Sequence, residues 1–517
     1  MIIEWVFCLP PPFTGISPSI DRFGIASRVE QMNTSPAPNL TTRPLWPADM
    51  RALIALSIPI VITNISRTGM SFVDFLMVSR LGTEAQAAIV PATVLLWSLI
   101  GFGLGVNTCV NTFASQALGR NKLEEASLYA WQGVWLSVLF GGIGTLLYPV
   151  IPAIFRGFGH PAGVIHQEVA YTQAALFSLG PSVAVVAASS FFTGIHRPRV
   201  AMFSMIIANL FNVVGDYVLI FGKWGFPQLG IAGAAWATVA ATVLQTAVLL
   251  GFMVAPHFAR EFHTLQAMRW NTDRAVNLLR YGAPSGVQWM MDILMWAFFL
   301  NWLVGRFGTV ELAATNVVWK FSEIGWMPAV GIASAASVLV GKSIGKKDFD
   351  AAVRQSRVGL ITVVGYMCTL SSLFLIFRTQ LIGLISDDPD VVALGALVFI
   401  PLAIFQMFDS VTITYINILR GAGDILVPAV LVVGLGWIIL LGGGRIMVEI
   451  RPEWGSIGPW ILGVLFIMLL SSALTLRWRS GRWREIDIFA GVPDVAALEG
   501  ATDVAIPKPP TIVAPDA

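Results

Sequence analysis

Long apolar stretches, each interrupted only by a few polar residues or by Gly and Pro, dominate the chain. A helix needs about 20 mostly apolar residues to cross a hydrocarbon core. Runs of that kind fall at 52–78, 86–113, 126–155, 168–193, 199–221 and 229–255. After a more polar stretch, six more fall at 276–304, 311–338, 355–384, 391–418, 426–448 and 455–477. None alternates apolar and polar residues as a barrel strand would, so the pattern predicts helix. The expected fold is an all-α integral membrane protein, with about twelve transmembrane helices in two six-helix pseudo-symmetric bundles.

Between the runs, basic residues crowd one side. Arg51, Arg120, Lys122, Arg197, Arg199, Arg260, Arg269 and Arg274 fall there, followed by Lys342, Lys346, Lys347, Arg420, Arg477 and Arg479. The opposite loops hold fewer, among them Arg80, Arg156 and Lys223. Basic loops stay cytoplasmic, which places both termini inside a bacterial inner (cell) membrane. Residues 1–45, rich in Pro, Ser and Thr, read as a disordered tail in which Met32 is a candidate alternative start. The expected divisions are an N-lobe over 46–256, a cytoplasmic linker over 257–275, a C-lobe over 276–480 and a C-terminal tail over 481–517.

Composition narrows the chemistry. Hydrophobic residues make up 56% and charged residues 12% of the chain, with a net charge of +2. Soluble chains carry about 25% charged residues, so little surface meets water, the lipid bilayer is the natural partner and nucleic acid is not. No obligatory protein partner is evident. Cys8, Cys109 and Cys368 lie far apart and form no metal motif. His160, His166, His196, His257 and His263 fall in or near loops, and there is no phosphate-binding GxxxxGK[ST] loop. The chain does not read as an enzyme, and transport would be passive or driven by an ion gradient.

The two halves repeat. Val78–Thr83 reads VSRLGT and Val304–Thr309 reads VGRFGT, an offset of 226 (304 − 78) that also pairs Gly105 with Gly331 and Gly119 with Gly345. Same-orientation repeats imply a pseudo-two-fold axis along the membrane normal. The intramembrane acids do not follow it: Asp74 aligns with Leu300, and Asp292 with Ser66. A carboxylate in the bilayer is costly and usually marks function. In the first half Asn64, Arg67 and Asp74 share one helix, and Asn212 and Asp216 share one face of another. Two carboxylates and an amide oxygen suit Na⁺, or a proton held between the acids. Alternatively Asp74 caps the outer end of its helix near Arg80. Separately, Arg67, seven residues before Asp74 on the same face, could neutralise it, or form a pair that opens and closes during transport. In the second half Asp292 and Asp409 lack local partners, while Lys320 and Glu323 are spaced to pair. Trp289 and Trp296 flank Asp292, with Trp319 and Trp326 on the next helix. Such rings suit a lipophilic organic cation, or simply pack and belt the interface.

Five segments resemble the multidrug and toxic compound extrusion (MATE) family. They are TGMSFVDFLMVSRLG from Thr68 to Gly82, SQALG over Ser115–Gly119, GFPQLGIAGAAWAT over Gly225–Thr238, MPAVGIASAASVLVGKSIG in the second half, and RGAGD over Arg420–Asp424. The resemblance covers about residues 45–480 and implies an antiporter that exports drugs, small-molecule organic cations among them, as Na⁺ or H⁺ enters. It implies a cation site at Asp74, Asn212 and Asp216, joined by Thr238 and Tyr171. In some members it implies a substrate or second-ion site at the acids Asp292 and Asp409; the residue pattern itself adds Trp289 and Trp296 as candidate substrate contacts and Arg67, Lys320 and Glu323 as candidate modulators. A tyrosine that some members carry one turn before the second acid is Phe405 here. Lipid-linked oligosaccharide flippases share the superfamily plan but would need more intramembrane Arg and Lys. A membrane enzyme or scaffold would need clustered nucleophiles.

Overall fold

The computed structural model describes residues 47–492, and every regular element among them is helical. In chain order the long helices of the first half are α1 (Pro47–Ser79), α2 (Thr83–Gly119), α3 (Leu123–Thr145), α4 (Ala162–Gly194), α5 (Pro198–Phe221) and α6 (Ile231–Val254). Those of the second are α7 (Thr272–Phe307), α8 (Thr309–Gly345), α9 (Phe349–Ile376), α10 (Pro389–Ala422), α11 (Leu426–Ile450) and α12 (Ile457–Arg479). Eleven of the twelve are long and apolar enough to cross a membrane. The other, α3, has 23 residues, which at about 1.5 Å each is long enough, but it buries Glu125, Ser127, Gln132 and Ser137 against its neighbours. The run expected at 126–155 is broken: α3 stops at Thr145, and a short helix, Ile151–Phe158, follows a turn. The expected tail over 1–45, and the end of the chain beyond residue 492, lie outside the described residues.

The repeat is written into the packing. Gly82 and Gly308 open α2 and α8 with φ of 114° and 104°, in the region that favours glycine. A Cβ on Gly119 would stand 2.2 Å from the Lys342 carbonyl oxygen, and one on Gly345 would stand 2.2 Å from that of Gln116. Gln116 and Lys342 are themselves repeat partners (342 − 116 = 226), so the two halves meet reciprocally where α2 crosses α8. Further along, Gly105 of α2 meets Ser285 and Gly286 of α7, while Gly331 of α8 meets Val61 of α1.

These crossings lie toward the end of the bundle that carries the basic loops, and polar contacts reinforce them. Thr112 donates to the Arg420 carbonyl (3.0 Å) and Gln116 to that of Gly421 (2.9 Å). Arg274 of α7 and Glu125 of α3 form a buried ion pair through two hydrogen bonds of 3.1 and 3.0 Å. The segment expected as a cytoplasmic linker over 257–275 is fastened to α3. Ser127 donates to the Phe262 carbonyl (2.8 Å), the Trp131 indole to Thr264 (2.8 Å) and Gln132 to Arg269 (2.9 Å).

The beginning of the expected C-terminal tail is likewise part of the fold. Trp483 is buried and stacks on Trp478 at 4.3 Å. Asp487 pairs with Arg120 at 2.7 Å, and the carbonyl of the fully buried Ile488 accepts from Asn277 at 2.9 Å. Phe489 meets Phe113 and Tyr129 edge-on. The apolar side chains of this short segment supply its anchorage, at roughly 1.5–3 kcal/mol for each large residue fully buried.

Candidate functional site

Away from this seam the first half encloses a different kind of polar cluster. A Cβ on Gly215 would stand 3.2 Å from that of Ala237, and Gly233 sits against the Leu219 carbonyl, so α6 lies close on α5. Asn212 and Asp216, one turn apart on α5, are both fully buried. Asp74 of α1 is half-buried, and its carboxyl lies beside that of Asp216. Tyr171 of α4, 7% exposed, stands within electrostatic reach of both. Asp74 Oδ1, both oxygens of Asp216 and both polar atoms of Asn212 have no hydrogen-bond partner.

Such an arrangement is unstable by itself. Each buried, unpartnered polar atom costs on the order of 1–3 kcal/mol, and two adjacent carboxylates repel when both are charged. The pocket is at rest only with a proton shared between the acids or a small cation among them. Its donors are oxygens, which fit a hard monovalent cation. Among the described residues no group of three or more His, Cys, Asp and Glu gathers as a metal site. Thr238 of α6 donates its hydroxyl to the Ala234 carbonyl of its own helix at 3.0 Å.

Arg67 does not neutralise Asp74. Seven residues span about 10 Å of helix, and the short Asp74 side chain is turned to Asp216 on α5. The neighbouring turn of α1 faces α8, where Asn64 donates to the Met327 carbonyl at 3.2 Å. Among the described residues Arg67 makes no ion pair, and Asp74 does not pair with Arg80 as an outer cap would.

In the second half, Asp292 of α7 and Asp409 of α10 lie within electrostatic reach of each other. The Trp296 indole stands beside Asp292 and that of Trp326 beside Asp409. Trp296 packs on Trp319 with ring centroids 4.6 Å apart and meets Phe405 edge-on at 5.7 Å. Trp460 of α12 closes the group, fully buried, 5.1 Å from Phe299 and with its indole N–H unpartnered. Trp460 is not among the residues expected from the sequence, where its only signal is a polar-edged ring inside an apolar run. Trp289 takes no part in this ring group. Lys320 and Glu323 pair at 3.0 Å on an exposed face of α8, as their spacing predicts.

Twelve helices in two repeated lobes, with ionisable groups held inside them, define a multi-pass membrane transporter rather than an enzyme. Residues 59–218 and 289–440 match the MatE family model, and the chain belongs to that family. It is 28% identical over 443 residues to a probable multidrug resistance protein NorM of Rhizobium meliloti strain 1021, covering 84% of this chain and 93% of that protein. It is 27% identical over 452 residues to one from Xanthomonas axonopodis pv. citri strain 306, covering 87% and 97%. The fold is similar to a solved outward-facing conformation of a multidrug resistance MATE family transporter of the MOP superfamily, with a TM-score of 0.76, 20% identity, and coverage of 86% of this chain and 100% of that one. It is also similar to a MOP superfamily transporter from Pyrococcus furiosus, with a TM-score of 0.77, 20% identity and coverage of 86% and 100%.

Proposed function

We propose that this protein exports amphipathic, cationic small molecules across the bacterial inner membrane by alternating access, in exchange for Na⁺ or H⁺, with its basic end in the cytoplasm. The adjacent carboxyls of Asp74 and Asp216, with their unpartnered oxygens, carry the reading. A pocket that is unfavourable when empty and charged is relieved by a cation, and occupancy can therefore bias one conformation over another. The names of the NorM relatives support multidrug export. The rings around Asp292 and Asp409 would receive the organic cation through cation–π and apolar contact.

The test is an Asp216→Asn variant expressed in an efflux-deficient host. Drug resistance should fall to that of the empty vector, with the protein still in the membrane. Full resistance in that variant would sink the coupling role of the pocket. Dye efflux from proteoliposomes, under a Na⁺ gradient at fixed pH and under a pH gradient without Na⁺, identifies the coupling ion.

A further inference from the structure

A second buried carboxyl stands one turn from the pocket, on α4. Glu168 is fully buried, yet only one of its oxygens is satisfied. Oε1 meets Nδ1 of His160 at 2.7 Å, whereas Oε2 has no partner. Thr172, four residues on and therefore on the same face, is also fully buried with an unpartnered hydroxyl. Tyr171, the residue that faces Asp74 and Asp216, is three positions from Glu168. His160 lies just ahead of α4 in the chain, with 35% of its side chain open. Polar groups thus step along α4 from a half-open imidazole to the pocket, about 5 Å per helical turn.

The elements packed on this part of α4 supply little compensating charge. From α2 comes Glu84, whose carboxyl lies against Gly163 in the first turn of α4, and the short helix Ile151–Phe158 brings Arg156. α6 carries no titratable side chain, and α4 itself adds His166. Glu168 therefore has His160 as its one ion-pair partner among the described residues. A clamp that only tied the loop to the helix would not need a carboxyl, because an amide oxygen accepts from an imidazole equally well. Glu168 Oε2 and the Thr172 hydroxyl, each without a partner, do not bond one another, but a carboxyl with one free oxygen, bound to an open imidazole and one turn from a buried hydroxyl, is suited to hand a proton along.

We propose that His160 and Glu168 form an outer proton station that feeds the Asp74–Asp216 pocket by way of Thr172 and Tyr171. In each passage a proton from water joins His160 Nε2 while the Nδ1 proton moves to Glu168 Oε1. The neutral carboxylic acid then passes a proton through intervening water to the Tyr171 hydroxyl, directly or by way of the Thr172 hydroxyl, and Tyr171, which faces the acids, releases its own to Asp216. Glu168 is left as a carboxylate, and His160, protonated now on Nε2, regains its first tautomer by exchange with water. The proposal rests on the reading of that pocket as the coupling site, and it commits to H⁺ over Na⁺.

The experiment uses full-length protein in proteoliposomes, with ethidium as the cationic probe and an imposed pH gradient without Na⁺. Wild type is compared with Glu168→Gln, Glu168→Asp, His160→Gln and Asp216→Asn, each checked for monodispersity and thermal midpoint. Glu168→Gln, which keeps an acceptor for the imidazole, should slow efflux on the order of 10-fold or more while leaving equilibrium ethidium binding unchanged, and Glu168→Asp should recover part of the rate. His160→Gln, which keeps a donor to the carboxyl but cannot exchange tautomers, should slow efflux to a similar degree. Wild-type rates in Glu168→Gln beside an inert Asp216→Asn overturn the station and leave the pocket standing. Wild-type rates in Asp216→Asn overturn the pocket and the station together. Efflux driven by Na⁺ alone, with none under the pH gradient, overturns the station.

Discussion

At the basic end of the bundle two buried carboxylates, Glu125 and Asp424, each meet an arginine; in the first-half pocket the carboxyls meet none among the described residues. Glu125 meets Arg274 at 3.0 Å and Asp424 meets Arg477 at 2.6 Å, with Gln116, Gln132 and Asn277 donating to carbonyls around them. In the pocket, Asp74 Oδ1, both oxygens of Asp216 and both polar atoms of Asn212 are buried and find no partner. Burying a charge is expensive in both places. The seam offsets the cost within the protein, which makes it structural. The pocket leaves it uncompensated, which makes it a place for something that arrives and leaves. What separates the two regions is partnership: acid meets base at the seam, whereas in the pocket acid meets acid.

That contrast can be broken by mutation, and the largest effect should come from the seam. Arg274→Met leaves Glu125 buried without its guanidinium and should cost about 3–5 kcal/mol, read as a lowered thermal midpoint in detergent. Adding Glu125→Leu should recover much of the loss. Asp216→Asn should leave the midpoint unchanged or raised, because it removes one of two adjacent charges from a pocket with no counter-charge. A drop as large as that of Arg274→Met would show the pocket to be structural after all.

Next in size, ending the chain at Gly481 removes Trp483, Ile488 and the Asp487 partner of Arg120. It should destabilise the protein by on the order of 3 kcal/mol, again by thermal midpoint. An unchanged midpoint would mean that the segment merely rests on the seam.

A smaller effect is expected of pH. His196, in the turn between α4 and α5, is held down to about 4 from 6.5 by burial first and then by Lys342 and Lys346. Because its folded value lies below its unfolded one, the unfolded chain takes up the proton first, and stability falls as pH drops from 6.5 toward 4. His196→Gln should flatten that limb of a midpoint-against-pH curve; an unaltered limb would assign the acid loss to other groups.

The smallest effect belongs to Lys320→Ala. Its pair with Glu323 is exposed, at 71% and 37%, and such pairs contribute about 0–1 kcal/mol. A loss of efflux without a loss of stability would move this pair from the surface into the transport path.

Several features were legible along the chain because they are one-dimensional. Run length sets a helix, loop charge marks one end of the bundle, and a constant offset of 226 marks the repeat. Asn212 and Asp216 could be placed on one face from spacing alone. Helical spacing also put Arg67 and Asp74 on one face, and there it misled, since a shared face two turns apart does not bring a short carboxylate within reach of an arginine. The segment over 257–275 read as a linker because of its polar residues, and the one after Gly481 as a tail because it follows the last long apolar run. What fastens them, such as Trp131 to Thr264 or Asn277 to Ile488, lies more than a hundred positions away.

The sequence by itself therefore determined the class of this protein: a repeated, twelve-helix membrane transporter with acids in both halves. Tertiary structure alone decided which polar groups meet. Asp74 and Asp216 are 142 positions apart (216 − 74), and they touch only because α1 packs on α5. Glu125 and Arg274 pair only because α3 reaches α7. Hydrogen bonds and charges act over a few ångströms, and distance along the chain carries no information at that scale until the helices are packed.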